Sequence, residues 1–151
     1  LIPFLNASDI LVGLLPLTKA TQGIVNYGLL KQLRRRNGLG GSVLINAGRG
    51  RLQKDADIVR ALDDGTLKEA SLDVFEVEPL PLDSPLIAMD NVILAPHALA
   101  WNDELYHDNG YDACQNILSV FRGEQPRYIV NRGVVDQPGF LAKVAKLKER
   151  I

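Results

Sequence analysis

The chain has 151 residues, 46% of them hydrophobic and 23% charged, with a formal net charge of −1. That length holds one domain with a real core, and so small a net charge gives no field to draw in nucleic acid or an anionic membrane. A single cysteine, Cys114, excludes an internal disulfide and fits a reducing, cytoplasmic setting, and no apolar run approaches the ~20 residues of a membrane span.

In chain order, residues 1–8 read as the end of a helix or turn leading into a strand over 9–15. Asn26 is placed to cap a helix over 27–35, with Leu29, Leu30 and Leu33 on one face. The β-branched run at 42–45 reads as a buried strand opening into Asn46-Ala-Gly-Arg-Gly50. Residues 54–64 present Ile58, Val59 and Leu62 at helical spacing and stop at Gly65. Further strands are expected over 70–75 and 91–97. Short apolar strands alternating with helices of about 10–15 residues are the signature of βαβ units and a parallel sheet. Asn102 then caps a long helix in which Tyr111, Cys114, Ile117, Leu118 and Phe121 form a buried stripe, ended by Arg122-Gly123. Residues 124–131 are extended, and residues 140–151 form a short basic helix. The chain starts at Leu1 and holds its only methionine at Met89, so it reads as the later part of a larger protein. The fold class is α/β: the second half of a Rossmann-like doubly wound parallel sheet, with a long crossover helix and a C-terminal tail. Residues 1–123 are the C-terminal part of a dinucleotide-binding domain without its first βαβ unit, and 124–151 a return segment.

Ligands of open α/β sheets bind at the carboxyl ends of the strands, and four such ends carry chemistry here. Arg49, with a glycine on each side, suits a carboxylate, because the guanidinium fork pairs with it through two parallel hydrogen bonds. Asp73 and Glu78 follow one strand, and His97 ends another. Glu76, two residues from Glu78, is expected to point away and be solvated, and His107 to lie on the surface of the long helix. Gly38-Leu-Gly-Gly41 precedes a strand, whereas a phosphate loop follows one. Residues 34–36 read as a solvated, basic helix end. No His, Cys and Asp set has metal-ligand spacing.

With these residues in place, the chain resembles the D-2-hydroxyacid dehydrogenase family, and within it the glyoxylate/hydroxypyruvate reductase group. The resemblance runs over about residues 2–131. It is carried by Leu15-Pro-Leu-Thr18 with Thr21, by Leu44-Ile-Asn-Ala-Gly-Arg-Gly50, by Ala70-Ser-Leu-Asp-Val-Phe-Glu-Val-Glu-Pro79 and by Asn91-Val-Ile-Leu-Ala-Pro-His97. It implies that Arg49 holds the substrate carboxylate and polarises its carbonyl, that His97 is the acid/base, and that Glu78 pairs with His97. It implies further that Asp73 binds the nicotinamide amide and that Leu15, Pro16, Thr21, Ala47 and Gly48 line the cofactor, NAD or NADP. The substrate is then a small 2-oxo acid, and the intact protein is expected to be a homodimer.

The chain departs from the family in three respects. The Gly-rich phosphate loop and the acidic ribose contact belong to the first βαβ unit, so these residues alone should bind NAD(P)H poorly. His97-Ala-Leu-Ala-Trp-Asn102 puts Leu99 and Trp101 where the family has small residues, and the turn at 34–41 is long. Two other readings share the fold: formate or phosphite oxidation, and a dinucleotide-sensing transcriptional corepressor. Formate enzymes of this family carry glutamine where this chain has Glu78.

Overall fold

The computed structural model describes residues 1–34 and 40–149. It divides into two compact units, Leu1–Leu99 and Ala100–Ile151.

The first unit is a four-stranded, all-parallel sheet. Its strands are β1 (Ile10–Gly13), β2 (Ser42–Asn46), β3 (Leu67–Leu72) and β4 (Val92–Leu94), and they lie in chain order β1-β2-β3-β4. Register pairs Gly13 with Asn46, Asn46 with Leu72, and Leu72 with Leu94, which brings the strand exits to one edge. Helix α1 (Ile2–Ala7) precedes β1, α2 (Tyr27–Leu30) follows it, and α3 (Asp55–Asp63) joins β2 to β3. Alternation along each strand sends Leu44, Ala70 and Leu72 into one core with Leu30, Ile58, Ala61 and Leu86. Each fully buried leucine or isoleucine there contributes on the order of 1.5–3 kcal/mol. The opposite face of the sheet carries Ile10, Val12 and Ile93, all exposed.

Several elements are shorter or shifted relative to the expected ones. Helix α2 ends at Leu30 rather than running to residue 35. Beyond it the chain turns so that Leu33 is buried and the Arg34 N–H bonds the carbonyls of Leu5 and Ser8. Arg34 is not a solvated helix end: its guanidinium holds Asp9 through Nε at 3.0 Å and Nη2 at 2.5 Å. The expected basic run at 35–36 and the first half, 38–39, of the glycine-rich segment lie outside the described residues. β3 begins at Leu67, three residues earlier than expected, and ends at Leu72, releasing Asp73 to Glu78 as a loop. α3 ends at Asp63, and Gly65, two residues on, turns the chain with a φ of 73° that suits glycine. Asn26 caps α2 as expected, accepting from the Leu29 N–H at 3.0 Å.

The second unit holds α4 (Asp103–Phe121) and α5 (Pro138–Lys148). Asn102 caps α4, accepting from the Leu105 N–H at 2.7 Å. The stripe expected to be buried is not: Tyr111, Cys114, Ile117, Leu118 and Phe121 are all exposed. Helical spacing marks a face able to pack, but burial needs a partner surface. Within this unit α5 packs against α4 and leaves all five residues open. Among the described residues, no helix is long and apolar enough to cross a membrane, and no cluster of His, Cys, Asp or Glu could hold a metal ion.

Candidate active site

The loop after β2 is built around close backbone packing. A Cβ on Gly50 would sit 1.7 Å from the Phe75 carbonyl oxygen, and one on Gly48 3.0 Å from that of Gly13. Only glycine lets this loop lie between its two neighbouring strand exits. Side chains complete the fixation. Asn46 Oδ1 accepts from the Gly48 N–H at 3.1 Å, and Asn46 Nδ2 donates to Gln53 Oε1 at 2.8 Å and to the Arg49 carbonyl at 3.3 Å. Gln53 Nε2 donates in turn to Asp55 Oδ1 at 2.8 Å. Asn46 and Gln53 are both 1% exposed, so each buried amide group needs such a partner. Arg49 itself stands exposed between the two glycines, its Nη1 donating to the Gly48 carbonyl at 2.7 Å.

The other half of the site comes from the exits of β3 and β4. His97 Nδ1 lies 2.8 Å from Glu78 Oε2, while Glu78 Oε1 accepts from the Phe75 N–H at 3.0 Å. Burial alone would push the Glu78 carboxyl up. The hydrogen bonds from His97 and from the Phe75 N–H outweigh it and hold the carboxyl below its ordinary value. A carboxylate at this point makes Nδ1 the donor, which leaves Nε2 to face a ligand. Beside the pair opens a cavity of about 590 Å³, walled by Phe75, Leu80, Ile87 and Leu94.

Asp73 is buried, and its two oxygens accept from the Ala98 N–H at 2.8 Å and the Leu99 N–H at 3.1 Å. Glu76 is exposed but not idle. Its Oε2 accepts from the Asp55 N–H at 2.6 Å while its own N–H donates to Asp55 Oδ2, which ties the first turn of α3 to the loop after β3. Leu15 and Pro16 are exposed beyond β1, where Thr21 Oγ1 donates to the Pro16 carbonyl at 2.7 Å. Ala47 is half-buried and Gly48 buried. His107 is exposed on α4, next to Asp108. Sequence reasoning missed the Asn46–Gln53–Asp55 chain. An Asn at a strand exit before a small residue and glycine is a turn signal that could have flagged its first member, whereas nothing local flags Gln53.

These features match a family model, the D-isomer specific 2-hydroxyacid dehydrogenase NAD-binding domain, over residues 1–98. The chain belongs to this dehydrogenase family. It is 39% identical over 138 residues to a glyoxylate reductase of Aeropyrum pernix, covering 90% of this chain and 40% of that protein. It is 38% identical over 127 residues to a glyoxylate/hydroxypyruvate reductase B of Erwinia tasmaniensis, covering 84% and 38%. Among solved structures it resembles a probable 2-hydroxyacid dehydrogenase from Rhizobium etli in complex with NADP, HEPES and L(+)-tartaric acid. That match has a TM-score of 0.73 and 47% identity, covering 88% of this chain and 41% of the other. An NADPH-dependent glyoxylate/hydroxypyruvate reductase from Sinorhizobium meliloti, in complex with NADP and sulfate, gives a TM-score of 0.77 and 41% identity over 87% and 41%. The chain thus spans about two fifths of the length of these dehydrogenases. Its fold is the Rossmann-like NAD-binding type of the family.

The residues present fit the nicotinamide end of such a cofactor. Exposed Leu15 and Pro16, small Ala47 and Gly48, and the Asp73 carboxylate lie at successive strand exits, giving an apolar rim beside one hydrogen-bond acceptor for an amide.

Proposed function

We propose that the protein carrying this chain reduces a small 2-oxo acid of the glyoxylate/hydroxypyruvate type to a D-2-hydroxy acid, using NAD(P)H. The observation that carries this reading is the His97–Glu78 pair, at 2.8 Å, on the same sheet edge as the glycine-flanked Arg49. β2 and β4 flank β3, so the two loops leave the sheet roughly 10 Å apart, two strand spacings. Two long side chains can reach across that gap to a three-carbon acid.

When bound, the cofactor supplies the hydride. Arg49 holds the substrate carboxylate and faces the charge that grows on the carbonyl oxygen. His97 holds the proton for that oxygen at Nε2, and Glu78, bonded to Nδ1, fixes the ring. Leu15, Pro16, Thr21, Ala47, Gly48 and Asp73 line the cofactor. The apolar walls of the cavity lower the local dielectric and strengthen these interactions.

In this reading residues 1–123 belong to the cofactor-binding domain and residues 124–151 return toward the substrate-binding part. The intact protein is a cytoplasmic homodimer with no nucleic-acid partner. Among the described residues no Gly-rich loop runs from a strand into the first turn of an α-helix, and by themselves these residues bind NAD(P)H weakly and turn nothing over. The test is an assay of the parent protein with glyoxylate and hydroxypyruvate, following NADPH and NADH consumption. Turnover of either acid supports the reading. Formate oxidation without 2-oxo acid reduction would overturn it.

A further inference from the structure

We infer that Asp73 is a positioning residue for His97: its carboxylate clamps the Ala98 and Leu99 N–H groups and so holds His97 in a left-handed backbone conformation that presents its ring to Glu78.

His97 has φ 55°, and it is the one non-glycine residue with positive φ among those described. A side chain with a Cβ populates that region sparsely, and such a residue persists only where its surroundings over-determine it. The surroundings here are the two peptide groups that follow it. Each Asp73 oxygen takes one of them, at 2.8 and 3.1 Å, and Asp73 is only 7% exposed. A charged acceptor makes shorter and stronger bonds than a neutral one.

The same short loop after β3 also supplies Glu78 to the ring Nδ1. Residue 97 is therefore gripped at two points by one segment, through its following backbone and through its imidazole. Releasing the backbone grip lets φ return to negative values, which swings the Cβ and carries the ring away from Glu78. Each Asp73 oxygen keeps a second lone pair, so the clamp leaves room for the cofactor contact given above. The clamp stands on the backbone geometry alone. Its bearing on catalysis rests on the reading of His97 as the acid/base.

The test is the Asp73→Asn variant of the full chain, followed by amide exchange and carboxyl NMR. An amide side chain of the same shape replaces one acceptor with a donor. Exchange at Ala98 and Leu99 should then quicken by about tenfold to a hundredfold, with the amides of β2 still protected. Glu78 should titrate at higher pH than in the wild type, because it loses the His97 bond. Simply deleting the Asp73 charge would move Glu78 the other way, since that charge raises its pKa. In the parent protein, kcat for glyoxylate should fall about tenfold to a hundredfold.

Unchanged exchange at both amides, or a Glu78 that titrates lower, would overturn the clamp. So would a rise in the KM for the cofactor as the sole effect. A companion measurement needs no variant: in the wild-type chain the Ala98 and Leu99 amide shifts should follow the titration of the Asp73 carboxyl, and shifts that ignore it contradict the proposal. A wild-type parent protein that reduces no glyoxylate, with these NMR results intact, would overturn the reductase reading and leave the clamp supported.

Discussion

The loops after β2 and β4 each carry a side chain of the proposed site, Arg49 and His97, but they are held by different chemistry. The arginine loop is set by shape and by neutral amides: Gly48 and Gly50 lie against backbone, and Asn46 and Gln53 satisfy each other in the dry interior. The histidine loop is set by two carboxylates, Asp73 on its backbone and Glu78 on its ring. Shape and neutral amides do not titrate, whereas carboxylates do. The first loop, which meets a carboxylate only indirectly, at Asp55 through Gln53, should therefore be rigid and less sensitive to pH than the second.

The sharpest break of this contrast on the arginine side is Arg49→Gln in the parent protein. It leaves the loop packed and removes the cation, and turnover of glyoxylate should fall by about 10²–10³ with the fold intact. Thermal unfolding and steady-state kinetics on the same sample check both halves. Gly50→Ala attacks the packing instead. The added methyl group has no room beside Phe75, so the loop must shift, costing about 3 kcal/mol of stability or more. A urea midpoint equal to that of the wild type would show that the loop is not locked.

Gln53→Leu is milder. It keeps volume but leaves Asn46 Nδ2 only its longer bond to the Arg49 carbonyl and takes the Gln53 donor from Asp55 Oδ1, for a loss of about 1–3 kcal/mol read from the same urea curves. Acid gives the smallest effect and separates the loops directly. Glu78 is held below its ordinary value of 4.5, so its pairing stabilises the folded state above that pH and is lost as pH falls through the folded value. Amide exchange should then loosen at Phe75, whose N–H bonds Glu78, before it loosens at Gly48, whose N–H bonds Asn46. Asp64 is a reference on the same scale. Bonds from the Tyr27 hydroxyl and from Thr66 lower it from 3.8 to about 2, so its contribution is lost only as pH falls through about 2.

The place of the proposed site residues was legible because they stand at strand exits, and strand exits follow apolar runs whose order is visible in the chain. Arg49, Asp73, Glu78 and His97 all fall there. The elements were less legible wherever tertiary contacts override local pattern. Lys68 and Glu69 are exposed within β3, so the run of apolar residues starts late and hides the first half of the strand. α2 stops early because Arg34 is claimed by Asp9 and by the carbonyls of Leu5 and Ser8, all distant in sequence. The stripe of α4 has the spacing of a buried face, but spacing does not supply the surface that would cover it. The grip on His97 left no trace, because a backbone angle and two peptide N–H groups have no residue-type signature.

The most direct test of the hydride-transfer site is the NADPH-dependent reduction of glyoxylate by the parent protein, comparing the wild type with His97→Asn. Asparagine tolerates the left-handed backbone and cannot hold the transferable proton. The expected result is a fall in kcat of about 10²–10⁴ with the fold unchanged. Near-normal turnover by His97→Asn would contradict the assignment of His97 as the proton donor and, with it, the site.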